Sequence, residues 1–180
     1  GATEELKELA ELTGIPVFCT MPGKSAFDER HPLALGAGSG ATTLPAHQWL
    51  QDCDVLLTLG SSLTRTTYGQ SIKPGKVLIQ NTNNPDDVNK DESVDIALVG
   101  DTKLTLQAIL DEVKAQVGES GVGDSDRVAA DIAAVREQWL DEWRPILTSD
   151  EEPLNTYRII HEINETLDLE NSIVTHDAGA

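Results

Sequence analysis

Apolar positions along the chain fall into two periods. In TEELKELAELT (Thr3 to Thr13), Leu6, Leu9, Ala10 and Leu12 share one helical face. Acids near its start suit the helix dipole, and Gly14 stands where a left-handed residue closes a helix. IPVFCT (Ile15 to Thr20) is short and apolar throughout, as a strand buried on both faces of a parallel sheet requires. Periodicity is then lost as far as Thr43, which predicts one long loop. Beyond it the pattern predicts a helix over Leu44 to Cys53 and a second buried strand, DVLLTLG (Asp54 to Gly60). A third strand, GKVLIQ (Gly75 to Gln80), precedes an Asn-rich loop, and a fourth, VDIALVGD (Val94 to Asp101), follows it. Lys103 to Val117 is an amphipathic helix with Leu104, Leu106, Ile109, Leu110 and Val113 as its apolar stripe. Strands alternating with helices or long crossovers give an α/β fold with a parallel, Rossmann-like sheet and flanking helices.

VGESGVGDSD (Val117 to Asp126), rich in Gly, Ser and acid, reads as a linker. A helix follows from about Asp126 to Trp143, with Ile132, Val135, Trp139 and Trp143 near helical spacing and Pro145 as its stop. After TSDEEPLN comes a helix over Thr156 to Leu167, and SIVTHDAGA (Ser172 to Ala180) reads as a strand entering a turn. A doubly wound sheet opens on a strand, whereas this chain opens on a helix, and a strand entering a turn begins a βα unit. The expected division is therefore 1–118 as a Rossmann-like domain short of its first strand, 119–153 as a linker and connecting helix, and 154–180 as the beginning of a second domain.

Charge narrows the partners. Thirteen Lys+Arg stand against 31 Asp+Glu, a formal net charge of −18, which excludes nucleic acid and anionic membrane because both need a basic face. The acids are spread along the chain, as on a solvated surface of the kind that keeps proteins soluble in high salt. Cys19 and Cys53 lie in apolar or strand-like contexts without metal spacing, which suits free thiols in a reducing, cytoplasmic compartment. No segment approaches the roughly eighteen consecutive apolar residues of a membrane span.

Open α/β sheets bind ligands at the carboxyl ends of their strands. GAGSGATT (Gly36 to Thr43) and GSSLTRTTYG (Gly60 to Gly69) fall there, so Gly36, Gly38, Gly60 and Ser61 could admit a phosphate to backbone N–H groups, with Arg65 supplying charge. GAGSGA does not directly follow a strand as a dinucleotide fingerprint does, and an ordinary turn-rich loop accounts for it equally. His31 is either a ligand or a hydrogen-bonding loop residue ahead of Pro32, while His47 and His161 read as structural. Asp177, at the strand end in HDAG, either faces a ligand or caps its turn. The sequence contains no nucleophile elbow, P-loop or HExxH.

Taken together, Gly14 to Val17 (GIPV), Thr20, Gly23-Lys24, and HPLALG (His31 to Gly36) in one long loop, then DVLLTLGSSLT, KVLIQ and DIALVGD, resemble the central domain of thiamine diphosphate-dependent enzymes. The acetolactate synthase, pyruvate oxidase and benzoylformate decarboxylase group is the nearest in pattern, over roughly Leu9 to Leu110. IVTHDAG resembles the first strand of that family's diphosphate-binding domain, which brings in Asp177 and Gly179. The resemblance implies a middle domain of about six parallel strands, placed between the pyrimidine-binding and diphosphate-binding domains of a homodimer or homotetramer. Thiamine diphosphate and Mg²⁺ would serve the whole enzyme, acting on 2-oxo acids by carbon–carbon cleavage or carboligation.

In flavin-containing members the two rim loops hold FAD, and in some relatives this domain holds ADP. Carried over by position, the candidates are His31, Gly36, Gly38, Gly60, Ser61 and Arg65. Where nucleotide-binding members read I-D-x-D-P, this chain has Thr82 and Asn84 at the acidic positions of QNTNNP, so FAD or ADP is not expected here. The family's activating Glu lies in the pyrimidine-binding domain, and no Gly-Asp-Gly metal motif occurs in the sequence. The segment is therefore expected to be structural and inactive alone. The reading from another class is a free-standing Rossmann-like nucleotide-binding or interaction domain without thiamine chemistry.

The acid excess carries a first prediction. Screening shortens from a Debye length of about 10 Å at 0.1 M salt to about 3 Å at 1 M, so self-repulsion falls and the melting temperature should rise with NaCl. A flat or falling response in calorimetry would contradict it.

Overall fold

A computed structural model describes residues 1–67, 69–168 and 170–175 of the chain. It divides into two compact units, Gly1–Val135 and Arg136–Ala180. In the first, α1 (Thr3–Thr13) ends as its sequence requires: Gly14 takes φ 72° and its N–H reaches the Ala10 carbonyl. The first strand is shorter than IPVFCT suggests, β1 covering Val17–Cys19. The loop predicted without structure contains a 3₁₀ turn, Met21–Gly23, and a strand, β2 (Ala34–Ala37), lying parallel to β1. Leu33, just before it, and its residues Ala34 and Leu35 are consecutive and all buried, so they show no alternation, and Pro32 and Gly36 confine them to a run too short to read as a strand.

α2 (Leu44–Asp52) starts with Thr43 as N-cap, its hydroxyl accepting from the Ala46 N–H, and Pro45 sits in the first turn where its missing N–H costs nothing. Three parallel strands follow, β3 (Val55–Leu59), β4 (Val77–Thr82) and β5 (Ile96–Val99), paired in the order β3-β4-β5. β4 runs past Gln80 because Asn81 and Thr82, polar in sequence, are buried in the ladder. Asp101 caps α3 (Thr102–Val117) through the Leu104 N–H.

Alternation fixes the layers. On β1, Val17 and Cys19 join Ala34 of β2 against Ala10 of α1, whereas Phe18 and Leu35 turn to the opposite face, against Ala46 and Trp49 of α2. On β3, Leu57 and Leu59 pack under Leu9 and Leu12 of α1 and Leu106 and Leu110 of α3. α1 is tied to α3 by Lys114–Glu8 at 2.5 Å and Lys103–Glu5 at 3.2 Å. The Gly- and Ser-rich segment folds back on α1, Val122 donating to the Leu12 carbonyl. Val128, Ala129 and Ile132 of α4 (Ser125–Leu147) complete the first unit's core.

Within the second unit α4 passes through Pro145 rather than stopping there: a proline close to a helix end deprives one carbonyl of its donor and leaves few later residues to carry the kink. α5 (Thr156–Thr166) is capped by Asn155 through the Arg158 N–H. Arg158 bonds Asp150, Glu162 and the Thr148 and Ser149 carbonyls, and Trp143 meets Tyr157 edge to face at 5.0 Å. Of the strand expected over Ser172 to Ala180, residues 172–175 are not in a strand and Ile173 is 94% exposed. The rest lies outside the described residues.

The core generates a second prediction. Leu106 is fully buried and Leu104, two residues away on α3, is 66% exposed. Leu106→Ala should cost about 3 kcal/mol and Leu104→Ala under about 0.5 kcal/mol in urea denaturation. Equal costs would refute the orientation of α3.

Candidate functional site

The carboxyl ends of β1 to β5 form the rim where the sequence places its candidates. His31 is held by three contacts within the fold: its Nδ1 accepts from the Leu33 N–H at 3.1 Å, its Nε2 lies 3.2 Å from Glu11, and its ring meets Phe27 edge to face. With Nδ1 accepting, Nε2 carries the proton and donates to Glu11. That makes His31 a clamp between the long loop and α1. Beside it, Arg30 holds the Asp28 carboxyl down at about 2 through its side-chain hydrogen bonds. Burial pushes the Cys19 thiol up, away from the reactive thiolate.

The glycines of the first rim loop are small because of the protein's own packing. Gly36 has φ 88°, and a Cβ there would come within 2.8 Å of the Thr43 methyl; at Gly38 it would run into the Phe18 ring. Thr43 closes this turn, donating to the Leu35 carbonyl at 2.5 Å. The second rim loop is equally occupied. The Gly60 N–H reaches Asn81 Oδ1, and Ser61 accepts the Leu63 N–H on its hydroxyl and the Gln80 amide on its carbonyl. Arg65 forms a two-pronged pair with Glu92, 2.7 and 3.0 Å, and its own N–H is taken by Asp91; this hydrogen bonding raises the guanidinium above its ordinary value. Its charge is neutralised from a distant part of the sequence, which no local motif reveals.

Thr82 and Asn84, at the positions of the missing acids, serve their own turn. The Thr82 hydroxyl donates to Asp87 at 2.9 Å and accepts the Asn84 N–H, and the Asn84 side chain caps the 3₁₀ turn Pro85–Asp87. Neither offers a free acceptor to a ribose, so these residues do not fit FAD or ADP held in that way. Asp177 and Gly179 lie outside the described residues. His47 bonds Gln70 at 2.9 Å. Among the described residues no group of three or more His, Cys, Asp or Glu side chains could hold a metal, and Cys19 and Cys53 are both free.

Sequence reading missed Asn81 and Gln80. Asn81 is wholly buried: its amide donates to the Leu98 and Gly100 carbonyls and Thr105, and its carbonyl accepts from Thr102 and Gly60. One side chain thus joins β4, β5, the rim glycine after β3 and the start of α3. Gln80, also fully buried, leaves Oε1 without a partner among the described residues. The signal was present as polar residues continuing an apolar strand. Elsewhere an apolar groove of about 620 Å³ lies between β5 and α3, lined by Leu98, Val99, Leu104, Ile109 and Val113 among others, and contains none of the candidates.

Residues 1–109 match the family model described as thiamine pyrophosphate enzyme, central domain. The chain belongs to that family. Its relatives include a probable acetolactate synthase large subunit of Methanococcus aeolicus, 30% identical over 99% of the chain and 31% of the relative. The corresponding protein of Methanocaldococcus jannaschii is 31% identical over 99% of the chain and 30% of the relative. A pyruvate oxidase of Lactiplantibacillus plantarum is 29% identical over 99% of the chain and 28% of the relative. The chain thus spans about a third of the length of the curated relatives it matches, and the parallel strands flanked by helices are those of a thiamine pyrophosphate enzyme central domain. No described helix is long and apolar enough to cross a membrane.

A third prediction comes from Asn81. Asn81→Ala strands Thr102 and the Leu98 and Gly100 carbonyls and should cost about 3 kcal/mol. Asn81→Asp faces the same carbonyls with a carboxylate, so its pKa is raised in the folded state; that variant should be less stable at pH 7 and regain stability as pH falls toward the unfolded value of about 4. A pH-independent Asn81→Asp would overturn the assignment.

Proposed function

We propose that this chain is the central scaffold of a longer thiamine diphosphate-dependent enzyme that makes or breaks carbon–carbon bonds of 2-oxo acids, in the manner of an acetolactate synthase. The observation that carries the proposal is the match of residues 1–109 to the central-domain model, with acetolactate synthase relatives aligned over 99% of the chain. The pyrimidine-binding and diphosphate-binding domains of the same protein are its partners, in a cytoplasmic homodimer or homotetramer that uses Mg²⁺. By their resemblance to that family's pattern, Asp177 and Gly179 are assigned to the diphosphate-binding domain.

Within this region the rim residues serve structure rather than a nucleotide. His31, Gly36, Gly38, Gly60, Ser61 and Arg65 keep the positions of a nucleotide site, but His31, Gly60, Ser61 and Arg65 engage Glu11, Asn81, Gln80 and Glu92, the Gly38 N–H donates to the Cys19 carbonyl, and Gly36 is fitted against Thr43. The test has two arms. The longer protein, given pyruvate, thiamine diphosphate and Mg²⁺, should release CO₂ or form acetolactate, and lose that activity when thiamine diphosphate is omitted. The 180-residue chain should show no such turnover and no flavin absorption band after incubation with FAD and desalting. Failure of the longer protein to turn over any 2-oxo acid overturns the enzyme assignment; a retained flavin band overturns the scaffold assignment.

A further inference from the structure

Apolar surface that folding leaves uncovered gathers along one flank of α3. β5 ends the series β3-β4-β5, and α3, which follows it in sequence, packs back over β3 with Leu106 and Leu110. The helix therefore sits inboard of the last strand, and its outer flank and β5 bound the groove of about 620 Å³. Two of the residues lining that groove, Leu104 of α3 and Val99 of β5, are exposed. Contiguous exposed apolar surface of this kind marks a contact site more often than chance.

The shape of the groove suits a helix. Leu104, Ala108 and Glu112 follow one another at i, i+4 and i+8 along its α3 wall. Ala108 is the short member of that row, so a dent lies at its middle where a side chain of a neighbouring helix fits, ridge into groove. A small-molecule site encloses about 70–90% of its ligand, whereas this groove is open to solvent along its length.

Its charge is one-sided. Both lysines of α3 turn to α1, Lys103 to Glu5 and Lys114 to Glu8. The groove keeps carboxylates instead, Asp101 at one end and Glu112 at the other, about 16 Å apart by the rise of a helix. Asp101 accepts the Leu104 N–H and Glu112 accepts the Gln116 amide, and neither bond neutralises the charge. No Lys or Arg is among the described residues that line the groove.

We propose that this groove docks one helix of another protein, amphipathic and basic. Its apolar residues, recurring each turn, lie on Leu98, Leu104 and Ile109, and its Lys or Arg side chains meet Asp101 and Glu112. Charge selects that occupant. A second copy would bring the same carboxylates into one interface, on chains that each carry a formal net charge of −18. Leu104 is the anchor, because its side chain already stands in solvent and is free to be buried without loss to this chain's own core.

The test is fluorescence anisotropy with a fluorescein-labelled synthetic helix of about 15 residues, made of Leu, Ala and Lys with the leucines on one face and lysines flanking them. A scrambled peptide of the same composition has no apolar face. The chain should bind the helix and not the scrambled form. Leu104→Glu, at a position exposed enough to keep the fold, and Glu112→Lys should each weaken binding at least about tenfold. Ala115→Glu, on α3 outside the groove, should leave it unchanged. Binding that Leu104→Glu leaves equal or tighter, or that the scrambled peptide shares, reflects net acid charge alone and overturns the proposal; so does no binding at all. The longer protein should show the same pattern. Binding by the 180-residue chain without binding by the longer protein means that a domain of the same protein fills the groove. Dimerisation of the chain, abolished by Leu104→Glu, means that a second copy fills it. Either result overturns the proposal, and none of these outcomes bears on the thiamine assignment.

Discussion

The apolar face of α1 is the surface on which the rest of the first unit depends. Three residues in its last two turns do different work on each flank: Leu9 and Leu12 meet α3 and β3, while Ala10 lies on β1 and β2. Since β1 and β3 share no ladder, the hydrophobic contact through α1 is the link on that face between two sheets that backbone hydrogen bonds leave separate. His31 reinforces it by clamping the long loop to Glu11 on the same helix, and the ion pairs from Glu5 and Glu8 to α3 hold the other flank. These pairs are partly exposed and contribute less than the buried leucines.

At the carboxyl rim the same economy of polar groups shapes function. Ligand sites on open α/β sheets need donors and acceptors left over from folding. Here the rim glycines are fitted to Thr43 and Phe18, Arg65 is matched by Glu92, and Thr82 and Asn84 close their own turn. The polar groups of the described rim residues are thus largely taken up within the fold.

Much of this was legible in the sequence where the pattern was long. α1, α2, α3 and α5 stand within a residue or so of their expected bounds because each has a periodic stripe and a capping residue. β2 was not legible, since its buried residues Ala34 and Leu35 are consecutive, following buried Leu33, and show no alternation. The length of β4 was hidden by its polar end, for burial of Asn81 depends on carbonyls of β5 and a threonine of α3 that are remote in sequence. Pro145 was read as a stop by a rule that holds for helix interiors and weakens near a helix end. The rim residues were found by position, but what each touches came from partners far along the chain, as Arg65 with Glu92 illustrates.

The account's central claim, that α1 couples the two sheets, is tested most directly by native-state hydrogen exchange on Leu9→Ala. Leu9 packs in the cluster formed with α3 and β3. If α1 is the coupling element, amides of β1 and β2 should lose protection together with those of β3 and β4, and by a similar factor. Loss confined to β3 and β4, with β1 and β2 unchanged, would contradict it.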